Sequence, residues 1–183
     1  MNNNIEKEYK VLVTKEQFYN LYQNFATPPF HEQVNIYYDT QDLMIRKHKG
    51  AGAMRIRDVN GMHIFTLKMQ SEEGLLEFEK PVPKNAITSL EDEEIQELLH
   101  RYQLQGPFFK IAELHTQRAV YESEFAELCF DISTYHGKTD YEIEYEYKKE
   151  HDGLSIFQDI MKQINVVYEK NCISKIQRAI NSL

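Results

Sequence analysis

The sequence predicts an α+β fold built mainly from antiparallel strands, together with a few short helices. Seven segments alternate between apolar and polar residues with a period of two, which is the pattern of strands with one buried face. Asn60-Gly61 separates two of these segments, and this dipeptide is the strongest short-range signal for a β-hairpin. Thr14 and Gln17 form a capping box, which predicts a helix near the start of the chain.

The first half of the chain contains five predicted strands and one predicted helix. The capping box begins the helix, which covers about 15–25. The β-branched and aromatic run Val34–Asp39 predicts a strand, and a turn-rich connection from Arg46 to Gly52 follows it. The predicted strands cover 5–13, 34–39, 53–59, 62–69 and 75–82.

The second half contains three predicted strands and three predicted helices. Ser89 is the expected N-cap of an acidic, amphipathic helix over about 91–104, which ends near Gly106-Pro107. Two further helices are expected over about 152–164 and 173–182. The predicted strands cover 111–121, 124–133 and 141–149, with a turn around His136-Gly137-Lys138.

Length and charge limit the functions that are compatible with the sequence. The chain has 183 residues, so we expect a single domain over 1–183. Its 21 Lys and Arg and 29 Asp and Glu give a net charge of −8, which disfavours general binding to nucleic acid or to an anionic membrane surface. The sequence shows neither a membrane span nor a signal peptide, so we expect a cytoplasmic protein.

The charged faces of the predicted strands are sorted by sign. Arg55 and Arg57 share one face of a strand, while Glu142, Glu144 and Glu146 share one face of another. Such neighbours lie about 6.6–6.8 Å apart along a strand, and like charges so placed repel unless something bridges them. The other charged faces carry Glu6, Glu8 and Lys10; Lys68; Glu77 and Glu79; Arg118; and Asp131.

Two interpretations of these faces remain open at this point. The solvated face of an antiparallel sheet explains any single strand, but it explains the sorting by sign poorly. Alternatively, the paired carboxylates hold Mg²⁺ or a similar hard cation, and the Arg and Lys rows hold the phosphates of a substrate. The two rows would then be complementary halves of one phosphate-metal site.

Glu6-Lys7-Glu8-Tyr9-Lys10 matches the ExExK signature of a known family, and further motifs follow in that family's order. These are Tyr37-Tyr38-Asp39-Thr40, Met54-Arg55-Ile56-Arg57, Thr66-Leu67-Lys68, Glu77-Phe78-Glu79, Arg118, Asp131, Glu142-Ile143-Glu144 and Ser174-Lys175-Ile176-Gln177-Arg178. Over nearly its whole length the chain resembles the CYTH superfamily, also called triphosphate tunnel metalloenzymes. The similarity is strongest to short Firmicute-type members that consist of this domain alone.

The resemblance implies a closed eight-stranded antiparallel β-barrel, a triphosphate tunnel, with flanking helices. The charged faces would then point into the tunnel, and the apolar faces would lie under the helices. The resemblance implies the following roles. Lys10, Arg55, Arg57, Lys68, Arg118 and Lys175 would bind a triphosphate; Glu6, Glu8, Asp131, Glu142 and Glu144 would hold Mg²⁺ or Mn²⁺; Glu77 and Glu79 would support the lumen. The candidate catalytic residues are Glu6, Glu8, Lys10 and Glu144.

The resemblance also implies an enzyme that cleaves phosphoric anhydride bonds in a small triphosphate. Inorganic tripolyphosphate is the first expectation, because it needs no organic pocket. A class IV-type adenylyl cyclase needs the same triphosphate grip, although no sequence feature indicates an adenine pocket. A thiamine triphosphatase is less favoured because the chain has no Trp, and a non-catalytic triphosphate-binding or nucleotide-binding module is a further alternative. Monomer and homodimer, and the roles of Glu146, Lys138 and Arg178, stay open.

Overall fold

The computed structural model describes residues 1–48 and 52–183, which contain nine strands and five α-helices. Residues 49–51, within the predicted connection from Arg46 to Gly52, lie outside the described residues. The strands are β1 (Asn2–Glu6), β2 (Glu8–Val13), β3 (His31–Asp39), β4 (Ala53–Val59), β5 (Met62–Ser71), β6 (Gly74–Val82), β7 (Phe109–Glu122), β8 (Ala126–Tyr135) and β9 (Lys138–Tyr147). The helices are α1 (Lys15–Tyr22), α2 (Met44–Lys47), α3 (Glu93–Arg101), α4 (Gly153–Lys162) and α5 (Lys175–Asn181), with a 3-10 helix at Ile87–Glu91.

All nine strands form one antiparallel sheet in the order β1-β6-β5-β4-β3-β7-β8-β9-β2, which curls into a half-barrel. The α+β antiparallel fold is therefore confirmed, whereas the pairings do not confirm a closed eight-stranded barrel. The ninth strand arises because the predicted strand over 5–13 divides at Lys7. Before Lys7 the chain pairs with β6, and after it with β9, so the two edge strands are separated by one residue.

Local hydrogen bonding corrects two predicted boundaries. The N-cap of α3 is Asp92, whose carboxylate accepts from two backbone N–H groups, while the Ser89 hydroxyl donates to the Lys84 carbonyl at 2.6 Å. A two-residue turn at His136-Gly137, with φ of 46° and 73°, joins β8 to β9. The two strands therefore reach the turn directly, instead of ending at 133 and resuming at 141.

Apolar side chains cover the convex face of the sheet in two clusters. Under α3, Ile95 and Leu99 belong to a cluster with Phe65 of β5. Under α1 and α4, Phe18 and Phe157 pack in a second cluster around β7, β8 and β9. Because side chains alternate along each strand, burying the apolar set on the convex face places the charged set on the concave face. No helix among the described residues is long and apolar enough to cross a membrane.

Gly52 allows α2 to lie close against the start of β4. A Cβ atom at this position would lie 1.9 Å from the Ile45 carbonyl oxygen, so any larger residue must displace backbone. We expect Gly52→Ala to lower the free energy of unfolding by about 1–3 kcal/mol, the usual range for overpacking. Urea unfolding of both proteins measures this difference, and an unchanged midpoint would contradict the close packing.

Candidate functional site

A cavity of about 450 Å³ lies on the concave face, and its lining comes from all nine strands and from α2 and α5. Its charged lining residues are Lys10, Arg46, Arg55, Arg57, Lys68, Arg118 and Lys175, with Glu6, Glu8, Glu77, Glu79, Glu127, Asp131, Glu144 and Glu146. All six residues predicted to bind phosphate are in this set. So is every predicted acid except Glu142, which is 1% exposed and lies just behind the lining. The structure therefore brings the two sorted rows of charge together.

At one side of the cavity, three carboxylates surround the ammonium group of Lys175. Lys175 Nζ lies 2.9 Å from Asp131 Oδ2 and 3.3 Å from Glu142 Oε1, and it also contacts Glu144. Arg118 donates two hydrogen bonds to Asp131, at 2.7 and 2.5 Å, and one to Glu144 at 2.6 Å. Asp131, Glu142 and Glu144, here called the β8–β9 acids, thus form one cluster around Lys175 and Arg118.

The β8–β9 acids have different proton affinities. Burial raises the pKa of Glu142 to about 7. Burial acts in the same direction on Glu144, but Lys175 and Arg118 outweigh it and hold the pKa of Glu144 well below its usual value. At neutral pH Glu144 is therefore ionised, whereas Glu142 binds a proton more readily than an ordinary glutamate.

A second group of ion pairs lies where β1 and β2 meet β5 and β6. Lys68 Nζ lies 2.7 Å from both carboxylate oxygens of Glu6 and 3.0 Å from Glu77. Burial acts to lower the pKa of Lys68, but the charges of Glu6 and Glu77 raise it above its usual value. Lys10 in turn contacts Glu8. Both acids of the ExExK motif are thus held by lysines inside the cavity.

The two arginines of β4 have spare hydrogen-bonding capacity. Their Nε atoms are buried and have no hydrogen-bond partner among the described residues. Arg57 makes one long contact, 3.4 Å to Glu79, and Arg55 makes no ion pair with any described residue. Burial, together with the like charge of Arg55, lowers the pKa of Arg57 to about 10. An anion in the cavity would satisfy these donors and relieve the repulsion between the guanidinium groups.

Helix α5 closes one end of the cavity and positions Lys175. Its N-cap is Ser174, and Ile176 packs against Tyr37 and Leu114 on the concave face. Arg178, one turn further on, is 7% exposed and donates to Asp140 at 2.8 Å and to the Ile173 carbonyl at 2.6 Å. Arg178 also contacts Glu142 but does not line the cavity, so its contacts are those of a structural salt bridge.

The CYTH domain model matches residues 4–180 of the chain. The chain belongs to the CYTH domain family. A Bacillus subtilis protein named "Putative triphosphatase YjbK" is 32% identical over 173 residues, covering 91% of this chain and 90% of that protein. The CYTH assignment thus extends over the whole sheet and reaches α5.

Solved CYTH-like structures have the same fold. A protein from Bacillus halodurans described as a putative adenylate cyclase superposes with a TM-score of 0.85 at 33% identity, covering 97% of this chain and 98% of that one. A Hippeastrum protein, described as a putative adenylyl cyclase with a dominant triphosphatase activity, has a TM-score of 0.74 at 24% identity over 97% and 96% of the two chains. Proteins similar to this chain are therefore named both as triphosphatases and as adenylate cyclases.

Three charged residues of the CYTH cavity were not predicted as site residues. Glu146 lies on the acidic face of β9 identified from sequence, and Glu127 has the same parity as Asp131 on β8, so alternation could have found both. Arg46 gave no such signal, because it is in α2. Its guanidinium donates to the Gly52 carbonyl at 2.9 Å and to Gln177 of α5 at 2.5 Å. Arg46 thus links α2 to α5 at the edge of the cavity.

The donor set of the CYTH cavity fits a hard divalent cation. The β8–β9 acids and the two ExExK glutamates offer only carboxylate oxygens, which Mg²⁺ and Mn²⁺ prefer. Oxygens of all three β8–β9 acids already converge on the single charge of Lys175. A separate group, Glu127, Cys129 and Glu146, has one ligand atom from each residue within 4.8 Å of the others. Its thiol makes it a less suitable donor set for Mg²⁺.

Proposed function

We propose that the protein is a metal-dependent triphosphatase that hydrolyses inorganic tripolyphosphate inside the charged cavity. The observation that carries this proposal is that Arg55 and Arg57 line the cavity with buried Nε atoms that have no hydrogen-bond partner among the described residues. Arginine binds phosphate oxygens with two parallel hydrogen bonds, so two arginines on one strand face suit a chain of phosphates. Inorganic tripolyphosphate needs no further pocket.

The remaining cavity residues divide into phosphate-binding and metal-binding groups. Lys10, Lys68, Arg118 and Lys175 would bind phosphates together with the β4 arginines. The proposed metal ligands are Glu6, Glu8, Asp131, Glu142 and Glu144, and Glu77 and Glu79 keep the lysine and arginine side chains in place. A bound Mg²⁺ or Mn²⁺ would neutralise phosphate charge and lower the pKa of a coordinated water. Glu6, Glu8 or Glu144 would hold that water in line with the terminal phosphorus.

The comparisons support this chemistry and favour one alternative. The Bacillus subtilis relative is named "Putative triphosphatase YjbK", whereas the Bacillus halodurans protein, at 33% identity, is described as a "putative adenylate cyclase". In a cyclase the 3′-hydroxyl of the nucleotide attacks the α-phosphorus, and pyrophosphate leaves. Both reactions need the same triphosphate-binding residues, so class IV-type cyclase activity is the second candidate function.

The proposal also covers the domain organisation, the location, the partner and the closure of the sheet. We infer a single domain over 1–183, a cytoplasmic location and a small triphosphate as the partner. We also infer that the sheet closes into an eight-stranded tunnel, which the one-residue spacing between the edge strands β1 and β2 supports. The oligomeric state is either monomer or homodimer.

A substrate panel tests the proposed activity. Purified protein is incubated with tripolyphosphate, ATP and thiamine triphosphate, each with Mg²⁺, with Mn²⁺ and with chelator, and phosphate, pyrophosphate and cyclic AMP are measured. We expect metal-dependent phosphate release, fastest from tripolyphosphate. Cyclic AMP with pyrophosphate would instead support the cyclase, and metal-dependent binding without any turnover would support a binding module.

Arg57→Ala should mainly weaken substrate binding. The substitution removes charge-assisted hydrogen bonds to phosphate, each contributing about 1.5–3 kcal/mol, so we expect KM to rise about tenfold to a hundredfold with little change in kcat. Arg101→Ala is the matched control, because Arg101 is exposed on α3, outside the cavity. A normal KM for Arg57→Ala would remove Arg57 from the binding site.

A further inference from the structure

One neutral side chain in the cavity, Asn35 of β3, has an unexplained hydrogen-bonding deficit. Asn35 is 4% exposed and lines the cavity, and its Oδ1 atom has no hydrogen-bond partner among the described residues. A buried polar atom left unsatisfied usually costs about 1–3 kcal/mol of stability. Native structures retain few such atoms, and each one requires an explanation.

Two other buried neutral side chains that line the cavity, Gln33 and Thr116, have partners within the protein. Gln33, two residues before Asn35 on the same face, is hydrogen-bonded to His31 at 3.1 Å. The Thr116 hydroxyl bonds to Ser133 at 2.9 Å. The deficit at Asn35 is therefore a feature of this position and not of the concave face in general.

Asn35 also lies beside the two unsatisfied arginines. In the register of β3 with β4, Asn35 is directly opposite Arg57, and Tyr37 is opposite Arg55. Six buried side-chain atoms lack a partner in the described part of the chain, and three of them belong to Asn35, Arg55 and Arg57. Half of the unsatisfied atoms are thus gathered on two paired strands, on the face that lines the cavity.

We propose that the Asn35 amide is a substrate-binding residue, which contacts the phosphate chain between the β3 and β4 strands. The inference rests on the proposed function, because the ligand is the same triphosphate. A 180° rotation of the amide exchanges its oxygen and nitrogen, so the unsatisfied position can present an N–H donor to a phosphate oxygen. A neutral donor adds a directional contact beside two guanidinium groups without adding to their mutual repulsion.

The proposed role predicts that a substitution of Asn35 affects ligand binding and folding stability differently. If Asn35 serves the ligand, replacing it with an apolar residue of similar size removes a buried unsatisfied group, and the protein keeps or gains stability while it loses affinity. If Asn35 is merely structural, the same change lowers stability and leaves affinity alone. Enzyme sites commonly show such a conflict between stability and function.

Two variants of Asn35 and one control test the proposal. Asn35→Leu removes the hydrogen-bonding atoms, and the isosteric Asn35→Asp places a carboxylate opposite Arg57, where it would pair with the guanidinium and repel phosphate. Asn85→Leu is the matched control, because Asn85 also has an unpartnered buried Oδ1 but does not line the cavity. The probes are pyrophosphate, tripolyphosphate and ATP. Binding is measured by calorimetry and by the ligand-induced shift of the unfolding midpoint.

We expect Asn35→Leu to weaken tripolyphosphate binding about tenfold, equivalent to about 1.4 kcal/mol. KM should rise accordingly, kcat should stay within about threefold, and the midpoint without ligand should be unchanged or higher. Asn35→Asp should weaken binding at least about a hundredfold, also without loss of stability, and Asn85→Leu should bind normally. Wild-type affinity in both Asn35 variants overturns the proposal, and so does a lower midpoint with unchanged affinity.

The same measurements distinguish the failure of this inference from failure of the proposed function. If the wild type binds tripolyphosphate without hydrolysing it, the triphosphatase assignment is wrong, and the affinities of the Asn35 variants still decide this inference. If the wild type hydrolyses tripolyphosphate and both variants match it in KM, the function stands and the role of Asn35 is wrong. If the wild type binds none of the three probes, both are overturned.

Discussion

Glu144→Gln is expected to reduce metal-supported hydrolysis of tripolyphosphate by about 10²- to 10⁴-fold, the range that a group acting on the attacking water contributes. Glutamine keeps the shape of the side chain but removes the negative charge that would hold the metal and the water. Glu144 is 6% exposed, and it contacts both Lys175 and Arg118, so a neutral residue at this position disturbs the ionic network at its centre. Steady-state kinetics across a range of Mg²⁺ and Mn²⁺ concentrations measures the effect.

Glu124→Gln provides the matched control for this experiment. Glu124 forms an exposed ion pair with Lys149, so its replacement should leave turnover unchanged. Glu6→Gln should behave like Glu144→Gln, because Glu6 is also a proposed metal ligand. Full activity in Glu144→Gln would exclude Glu144 from the mechanism.

Lys175→Met should destabilise the protein by about 3–5 kcal/mol in the presence of chelator, the usual cost of removing one partner from a buried ion pair. The substitution leaves the β8–β9 acids without their central cation, although Arg118 and Arg178 still contact them. Adding Mg²⁺ or Mn²⁺ should restore part of this stability, since a divalent cation bound by the same carboxylates would replace the lost charge. Urea unfolding with and without metal measures both effects.

Lys162→Met is the comparison for Lys175→Met. Lys162 pairs with Asp159 on the surface of α4, where both side chains are more than 70% exposed, so its loss should cost at most about 1 kcal/mol. Equal stability of Lys175→Met and the wild type would show that the three carboxylates are not held by Lys175.

The charged strand faces could be predicted because alternation along a strand has a period of exactly two residues. If Arg57 lies on one face of its strand, Arg55 must lie on the same face. The same rule, applied within each of the other strands, identifies Glu6, Glu8 and Glu144. Parity does not reveal which strands pair, so it could not show that β1 and β2 lie at opposite edges of the sheet. That arrangement depends on contacts between residues far apart in the chain.

Sequence reasoning missed several residues, each for a different physical reason. Asn35 is neutral, so a search for strand faces sorted by charge does not identify it. It is identified by its position opposite Arg57 and by its missing hydrogen bond. Arg46 is brought to the cavity by a four-residue helix that follows no strand periodicity. Ser89 is a good N-cap by residue type, but Asp92 takes that role because its carboxylate reaches two N–H groups of the first turn.

The division of the N-terminal strand at Lys7 has a consequence for the order of folding. Glu8 pairs with Glu146, so Glu8 and Lys10 of the ExExK motif reach their partner strand only after about 140 further residues have been synthesised. Closing so long a loop is entropically costly, and folds dominated by distant pairings form slowly. The hairpins between consecutive strands from β3 to β6 can form early from local contacts, whereas the acids of β2 and β9 meet late. We therefore expect the cavity to be completed late in folding.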